Sequence, residues 1–374
     1  MNLHVFSDAY GLFPVMAAKR IVQLNDANNI CVNLCIGSNQ MSEKIQYIER
    51  SKKAFKMFIQ NLQAIDKIIL HPLNYDAAIF LLEGLKKFPN AKVYWVCWSY
   101  EVYNYHLDNQ TFFEAFSKKF YLQNTSIKTI VKEKVRSILS ILRIPFFSRY
   151  HLKEAYARVN YFCSFLEEDY IEMKRLTGYS QMEYLPFSYT SLEELMPSLS
   201  KYKIKGDAII VGHAASLESN QFEILHALKK LALQNKIILP IAYGNTKYQQ
   251  EIIKEAKDLF AGQVDIIEQK MSLEDYYVKL EEASFAIFNL KIQQGLGNML
   301  GLLWIGAKVF LREESSTYKQ FKKWNLLVYS TQQQLTAIEL QKGLQQDEIE
   351  SNREILFARF TEKSVNSYWK QIVY

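Results

Sequence analysis

The 374-residue sequence has no run of about 18 consecutive apolar residues, the length that a membrane-spanning helix requires. Cysteine is scarce: the chain has four, and their spacings do not resemble a zinc or redox pair. We therefore expect buried thiols and no membrane-spanning segment. A strand-like segment at residues 3–6 stands where a signal peptide would have its apolar core. Repeats of fixed period are also missing, which excludes solenoid folds.

The motifs of several enzyme classes are absent as well. Without a G-x-S-x-G elbow, hydrolases of that kind are disfavoured. Neither G-x-G-x-x-G nor a Walker loop occurs, which argues against nicotinamide cofactors and ATP hydrolysis. The six histidines never fall at metal-ligand spacing, and no D-x-D motif lies between apolar strands. The sequence therefore predicts neither a metal nor a cofactor.

What the chain does have is enough apolar surface for two cores. Hydrophobic residues make up 49% of it and aromatic residues 14%, and its length suits two domains of roughly 150 to 200 residues each. Short β-branched and aromatic runs alternate with longer segments of helical period, and this series occurs twice. Such alternation is typical of parallel sheets covered by helices. We predict an α/β protein with two Rossmann-like lobes facing a cleft.

The predicted strands divide into two sets. Those of the first lobe are residues 3–6, 30–36, 67–70, 93–97, 160–164 and 182–185, and those of the second are 207–211, 236–240, 264–268, 285–289, 308–311 and 326–329. The polar stretch 188–206 is the predicted linker, so the lobes span residues 1–187 and 207–344. Residues 345–374 are predicted to be helical, and fold analogy suggests that they cross back to the first lobe.

Three turns of small and amide residues follow predicted strands of the second lobe. Open α/β sheets bind ligands at the carboxyl ends of their strands, and helix N-termini attract anions through free N–H groups. A plain βα turn or a helix cap is the alternative at each place. The candidate donor-binding residues are Gly212, His213, Ser216, Tyr243, Gly244, Asn245, Gln293, Gln294, Gly295, Gly297 and Asn298.

Two carboxylates follow strands of the first lobe in the same way. Asp8 follows the first predicted strand, and Glu101 follows the fourth, close to Trp98. Either carboxylate is placed to take a proton from an acceptor hydroxyl, with Trp98 as a candidate acceptor contact. The alternatives are a helix N-cap for Asp8 and a solvated loop charge for Glu101.

The most lopsided charge lies near residues 117–153, where nine basic residues accompany the single acid Glu133. Apolar residues fall at helical spacing inside this insertion, with basic residues on the remaining face. Such a helix typically lies in a bilayer interface and is attracted by anionic lipid, although an ordinary surface helix is the alternative. The candidate membrane-contact residues are Lys128, Lys132, Arg136 and Arg143.

Several stretches together resemble a known family. They are LPIAYGN at 239–245, FNL at 288–290, QQGLG at 293–297 and GAKVFLR at 306–312, with Asp8, His71, Asn74, Trp98, Glu101 and Tyr103 in the first lobe. This pattern resembles the TDP-N-acetylfucosamine:lipid II N-acetylfucosaminyltransferases of enterobacterial common antigen synthesis, glycosyltransferase family 56. The chain departs from the family at Glu101, where the family has Asp, and in the turn 212–216, which is poorer in glycine.

The resemblance implies a fold, an activity and a location. It implies the GT-B architecture and transfer of an amino sugar, 4-acetamido-4,6-dideoxygalactose, from a TDP-sugar to an undecaprenyl-diphosphate-linked saccharide. The enzyme would then be peripheral at the cytoplasmic face of the bacterial inner membrane, without a metal or a nucleic-acid partner. A non-catalytic sugar- or lipid-binding relative and a two-lobed nucleotide-sugar epimerase are the rival hypotheses.

Overall fold

The computed structural model describes residues 1–8, 12–34, 42–126, 148–196 and 198–374, together with 128, 129, 131, 135, 138, 139, 142, 144 and 146. The chain forms two compact units. The first unit comprises Met1–His106, Ser126–Tyr189 and Lys363–Tyr374, and the second comprises Leu107–Thr125 and Thr190–Glu362. Each unit contains one parallel sheet with interleaved helices, which confirms the predicted α/β class.

The first unit is built on seven parallel strands. Numbered along the chain, they are β1 (Asn2–Phe6), β2 (Asn29–Asn33), β3 (Ile45–Tyr47), β4 (Lys67–His71), β5 (Lys92–Val96), β6 (Tyr161–Ser164) and β7 (Glu183–Pro186). The helices are α1 (Leu12–Asn25), α2 (Lys52–Asn61), α3 (Tyr75–Lys87), α4 (Tyr100–Asn104), α6 (Arg149–Tyr156), α7 (Glu167–Thr177) and α15 (Glu362–Val373). The strand order β3-β2-β1-β4-β5-β6-β7 reverses between β1 and β4, the kind of switch point where such sheets bind ligands.

The second unit contains a six-stranded parallel sheet. Its strands are β8 (Ile209–Val211), β9 (Ile237–Pro240), β10 (Val264–Ile267), β11 (Phe285–Phe288), β12 (Lys308–Leu311) and β13 (Val328–Ser330). Its helices are α5 (Ala115–Asn124), α8 (Leu192–Leu195), α9 (Gln221–Leu231), α10 (Thr246–Leu259), α11 (Leu273–Leu280), α12 (Leu296–Ile305), α13 (Ser316–Lys323) and α14 (Gln346–Phe360). The order β10-β9-β8-β11-β12-β13 reverses between β8 and β11.

The central strands are continuous apolar runs because helices cover both faces of each sheet. Strands β8 and β11 are buried at every position. Helix α12 is apolar all round and buried from Met299 to Ile305, as expected of a helix inside a core. This packing fixes its N-terminus at the β8/β11 switch point. Cys31, Cys97 and Cys163 are free thiols, and the fourth, Cys35, lies outside the described residues.

The sequence-based boundaries differ from the structure in two segments. Residues 107–125, assigned to the first lobe, pack with the second unit, because Asn220 accepts a hydrogen bond from Glu114 N (2.8 Å) and donates to Phe112 O (3.0 Å). Residues 190–206 form part of the same unit, where the Trp304 indole donates to Leu199 O (2.9 Å). Both contacts join residues about 105 positions apart, which local sequence patterns do not reveal.

The C-terminal helix α15 packs within the first unit from Lys363 onward. The carbonyl of Val373 accepts hydrogen bonds from the side chains of Asn2 (2.9 Å) and Asn25 (2.7 Å). Trp369 is fully buried, and its indole donates to Ser188 O (2.9 Å). Residues distant in sequence therefore complete the core of this unit.

Candidate active site

Two glycine turns of the second unit are joined at the carboxyl ends of β8 and β9. Ala215 N donates to Tyr243 O, and Asn245 N donates to Ala215 O, both at 2.8 Å. Gly244 has a φ of +125°, and a Cβ atom there would lie 2.2 Å from Ala215 O. Only glycine fits this close approach. Gly212 likewise has a positive φ of +76°, where a side chain would meet Gln221.

Two predicted donor contacts in these turns have structural hydrogen bonds instead. The side chain of Asn245 caps α10 by accepting from Tyr248 N (2.9 Å). Ser216 Oγ donates to the Glu218 carboxylate at 2.5 Å. The alternative reading of a helix cap is therefore correct for Asn245, and Ser216 is occupied by a near neighbour.

The N-terminus of α12 has no side-chain cap. Its N-cap residue is Gly295, with a φ of +68°, which has no side chain to accept from the first N–H groups of the helix, such as those of Gly297 and Asn298. The His213 ring lies against Gly295, since a Cβ atom there would be 2.7 Å from the ring. Together these features place free donors and the positive end of a helix dipole beside an imidazole.

His213 is 7% exposed, and its Nδ1 has no hydrogen-bond partner among the described residues. Burial lowers the pKa of its ring to about 4. The ring is therefore neutral at physiological pH. A buried polar atom without a partner costs free energy, which marks this position as one where a further group fits.

A cavity of about 340 Å³ adjoins this point. Three of the candidate donor-binding residues line it, namely His213, Tyr243 and Asn298. Sequence reasoning missed the remaining lining residues, which come from β9, β10, α11 and adjoining turns: Pro240, Ala242, Ile267, Gln269, Lys270, Met271, Leu273 and Tyr276. Gln293 and Gln294 are half-buried in the loop before α12 and are not among the lining residues.

In the first unit, Asp8 lies just beyond β1 at the β1/β4 switch point. Its backbone is fixed by Asn33, which accepts from Asp8 N (3.3 Å) and donates to Asp8 O (2.9 Å). The residue is 8% exposed. Residues 9–11 lie outside the described part of the chain.

Glu101 is fully buried, so the alternative of a solvated loop charge is wrong. One carboxylate oxygen accepts from the Trp95 indole and from Trp98 N, both at 3.0 Å. Burial raises the pKa of the Glu101 carboxyl to about 7. These bonds hold the turn at Ser99, whose φ is +72°. Glu101 thus supports the turn that carries Trp98.

A chain of hydrogen bonds runs from Trp98 into the first sheet. The Trp98 indole donates to Tyr189 Oη (2.9 Å), and Tyr189 Oη lies 2.5 Å from His71 Nδ1. His71 Nε2 lies 3.2 Å from His4 Nδ1, and His4 Nε2 lies 3.0 Å from Asn29 Oδ1. Because an amide oxygen only accepts, His4 Nε2 donates to Asn29, and the neutral rings then place the proton of His71 on Nε2 as well, so that Tyr189 donates to His71 Nδ1. Burial lowers the pKa of His4 to about 4 and that of His71 well below its usual value.

Comparison with known proteins now identifies the chain. The model of the 4-alpha-L-fucosyltransferases, glycosyl transferase group 56, matches residues 150–373, more than half of the sequence. The chain belongs to this family. It is therefore a glycosyltransferase, in agreement with the expectation from its motifs.

Solved structures resemble this group 56 glycosyltransferase along its whole length. HepE from Anabaena, in complex with UDP and glucose, is 10% identical, with 99% of this chain and 98% of that one covered and a TM-score of 0.65. A glycosyltransferase from Rickettsia africae is 11% identical over 100% and 97%, with a TM-score of 0.63. The lipopolysaccharide outer core galactosyltransferase WaaB is 12% identical over 100% and 99%, with a TM-score of 0.64. At these identities the likeness shows the fold, which is the GT-B type with two Rossmann-like lobes.

The basic insertion of the group 56 chain exposes apolar side chains. Val131, Val135, Ile138 and Leu142, at spacings of one helical face, are between 46% and 61% exposed. Lys128 is exposed, whereas Lys132, Arg136 and Arg143 lie outside the described residues. None of the helices in the described part of the chain is both long and apolar enough to cross a membrane.

Glu114 and Arg312 form an ion pair in the second unit that sequence reasoning missed. Asn289, which follows β11, donates to Glu114 (3.0 Å) and accepts from Arg312 (3.2 Å). This network fixes the start of the loop that leads to α12. Within the described residues, no three His, Cys, Asp or Glu side chains are grouped to hold a metal ion.

Proposed function

We propose that this glycosyltransferase moves 4-acetamido-4,6-dideoxygalactose from a TDP-sugar to a saccharide linked to undecaprenyl diphosphate. The reaction takes place at the cytoplasmic face of the bacterial inner membrane, in the synthesis of a surface polysaccharide. The observation that carries the donor half of this proposal is the uncapped N-terminus of α12, with His213 beside it and a cavity adjoining both.

The donor diphosphate binds at this N-terminus. The free N–H groups of Gly297 and Asn298 and the helix dipole attract its negative charge. The base occupies the cavity, where Tyr243 and Tyr276 offer aromatic faces and Pro240 an apolar wall. The sugar is recognised by the amides of the loop before α12, Gln293 and Gln294. The complex of the similarly folded HepE with UDP and glucose supports a nucleotide-sugar donor.

Asp8 is the general base in this proposal. Asp8 follows β1 at the switch point of the first sheet and is 8% exposed, whereas Glu101 has no exposed surface and holds the turn of Trp98 through two hydrogen bonds. Asp8 takes the proton of the acceptor hydroxyl as that oxygen attacks the anomeric carbon. Glu101 holds the turn of Trp98, whose ring stacks on the acceptor saccharide.

The lipid-linked acceptor requires access to a membrane surface. The exposed apolar stripe at Val131, Val135, Ile138 and Leu142 supports a bilayer-contacting segment. The basic residues of the same segment add attraction to anionic lipid of about 1 kcal/mol each near the surface.

The first test of the proposal is nucleotide selection. Thermal shift against TDP, UDP and GDP should show the largest stabilisation by TDP, since ligand binding to the folded state raises the melting temperature. Incubation with TDP-4-acetamido-4,6-dideoxygalactose and an undecaprenyl-diphosphate-linked saccharide should then give a lengthened lipid-linked product.

Other outcomes of these assays favour the rival hypotheses. Stabilisation by TDP without transfer to any lipid-linked acceptor would favour a non-catalytic relative. Conversion of the free TDP-sugar in the absence of lipid would favour an epimerase. Preferential stabilisation by GDP would overturn the proposed donor.

A further inference from the structure

The imidazole of His213 lies directly against the N-cap of α12. Its ring contacts Gly295, is more than nine-tenths buried, and leaves Nδ1 without a hydrogen-bond partner among the described residues. An uncapped helix N-terminus and an orphaned imidazole nitrogen thus point to the same position. This is where the proposed function places the donor diphosphate.

We propose that His213 takes up a proton from solvent when the diphosphate binds, and that the imidazolium then donates from Nδ1 to the diphosphate and stabilises it as the leaving group. This inference rests on the proposed donor site, and it adds a catalytic role to a residue otherwise expected only to bind.

The surroundings of His213 keep it neutral until an anion arrives. Burial alone lowers its pKa to about 4, with no described charge contributing. The neighbouring Phe288 ring, centred 6.3 Å away, and Gly295 are uncharged. The titratable groups of the adjoining cavity are Lys270 and two tyrosines, Tyr243 and Tyr276, whose pKa values burial raises. No described carboxylate lines this cavity, so a bound anion would be its only negative charge.

A bound diphosphate raises the proton affinity of His213. One negative charge about 4 Å away raises proton affinity by on the order of a thousandfold at an effective dielectric constant of about 20. Since the pKa of His213 starts at about 4, a single negative charge raises it to near neutral pH. The second charge of the diphosphate raises the pKa further. The bound complex therefore contains an imidazolium at physiological pH.

His213 stays protonated throughout the transfer step. The acceptor oxygen bonds to the anomeric carbon, and its proton passes to the carboxylate of Asp8. The bond between the anomeric carbon and the diphosphate oxygen breaks, and its electron pair stays on that oxygen. The hydrogen bond from His213 strengthens as this charge develops. His213 returns its proton to solvent when the nucleoside diphosphate leaves.

The test is calorimetric and requires no turnover. Binding of TDP-glucose and of UDP-glucose is measured at pH 7 in two buffers of different ionisation enthalpy, since a sugar diphosphate has no proton of its own to release near neutral pH. We expect uptake of close to one proton per bound nucleotide. We also expect binding to weaken by up to tenfold per pH unit above neutrality, as linkage to one proton requires.

His213→Asn keeps a neutral N–H donor near the Nδ1 position and removes the titration. This variant should bind the same nucleotide with no proton uptake and with an affinity that does not depend on pH. His226→Asn is the matched control. His226 lies on α9, is paired with Glu255 at 2.8 Å, and does not line the cavity. Its replacement should leave proton uptake unchanged.

The possible failures separate this inference from the function on which it rests. Binding of either nucleotide sugar to the natural protein without proton uptake overturns the role of His213 and leaves the proposed donor site standing. Proton uptake that persists in His213→Asn does the same. Absence of binding by both nucleotide sugars overturns the proposed donor site and this inference together.

Discussion

The polar groups at the carboxyl edges of the two sheets differ in whether they have hydrogen-bond partners. In the first unit, Trp98, Tyr189, His71 and His4 bond to one another in a fixed direction, so their donors and acceptors are already used. In the second unit, α12 begins without a cap, and the adjoining imidazole has an unused nitrogen. In the proposed function, the first arrangement orients the acceptor, and the second binds the donor diphosphate.

Asp8→Asn provides the strongest test of this contrast. We expect kcat to fall by roughly 100- to 10,000-fold, because an amide cannot take the acceptor proton. TDP affinity should not change, since the residues of the proposed donor site all belong to the second unit. Steady-state kinetics and a TDP titration give the two readouts. A weakened affinity with an unchanged kcat would remove Asp8 from the role of base.

Glu101→Gln tests whether the buried carboxyl binds its proton more tightly in the folded protein than in the unfolded chain. Because the pKa of Glu101 in the folded protein, about 7, exceeds its usual value of 4.5, the folded state binds this proton more tightly than the unfolded state. Its stabilising effect is therefore complete below pH 4.5 and is lost as pH rises through 7, a loss of about 3 kcal/mol. The free energies of unfolding in urea, compared at pH 5 and pH 8, should show this loss in the natural protein and not in the variant.

Tyr189→Phe breaks the hydrogen-bond chain at its centre. The Trp98 indole and His71 Nδ1 each lose a partner, and we expect the free energy of unfolding to fall by about 2 kcal/mol. The control is Tyr161→Phe, which changes a tyrosine of the same unit whose ring stacks on Tyr94. This variant should change the free energy of unfolding by less than about 0.5 kcal/mol. Equal effects of the two variants in urea unfolding would contradict the chain.

Gly295→Ala perturbs the second site in a comparable way. The added Cβ would meet the His213 ring, and alanine would have to adopt a left-handed backbone conformation. Because that conformation costs about 1 to 2 kcal/mol, we expect TDP binding, measured by calorimetry, to weaken about tenfold. Gly297 has no left-handed φ, and a Cβ atom there would lie 3.4 Å from Leu195, at ordinary contact distance. Gly297→Ala should therefore leave protein stability equal or higher. Unchanged affinity in Gly295→Ala would show that the turn is not a binding element.

The smallest expected effect concerns the basic insertion. Replacing Ile138 and Leu142 by Asp should lower sedimentation with anionic vesicles roughly three- to tenfold, because both side chains are exposed and available to the bilayer. Ile338→Asp changes a residue that is 77% exposed in the second unit, and it should have no effect. Equal sedimentation of all three proteins would disprove membrane contact by this stripe.

Local sequence pattern predicted most of the fold because parallel strands buried on both faces are continuous apolar runs. It missed β3, which has three residues and only one fully buried position. It also misassigned residues 107–125, which are held by the side chain of Asn220 more than 100 positions away. Distant partners of this kind leave no periodic signal.

Where backbone geometry determines the residue type, the structure explains why the predicted residue stands there. Gly244 and Gly295 lie where only glycine fits, and the candidate donor-binding residues His213 and Asn298 line one cavity. Polar side chains are harder to interpret from sequence, because their hydrogen bonds are decided by tertiary neighbours. Asn245 caps a helix, and Glu101 is sealed inside the first unit. Tyr189, which accepts the hydrogen bond of the Trp98 indole, belongs to none of the sequence motifs.

The placement of α15 constrains how the chain is made. Asn2 and Asn25 both donate to the carbonyl of Val373, at sequence separations of 371 and 348 residues. All residues of the second unit are therefore synthesised before the segment that completes the first unit. Until that segment has been made, the apolar surface that Trp369 covers in the first unit stays open.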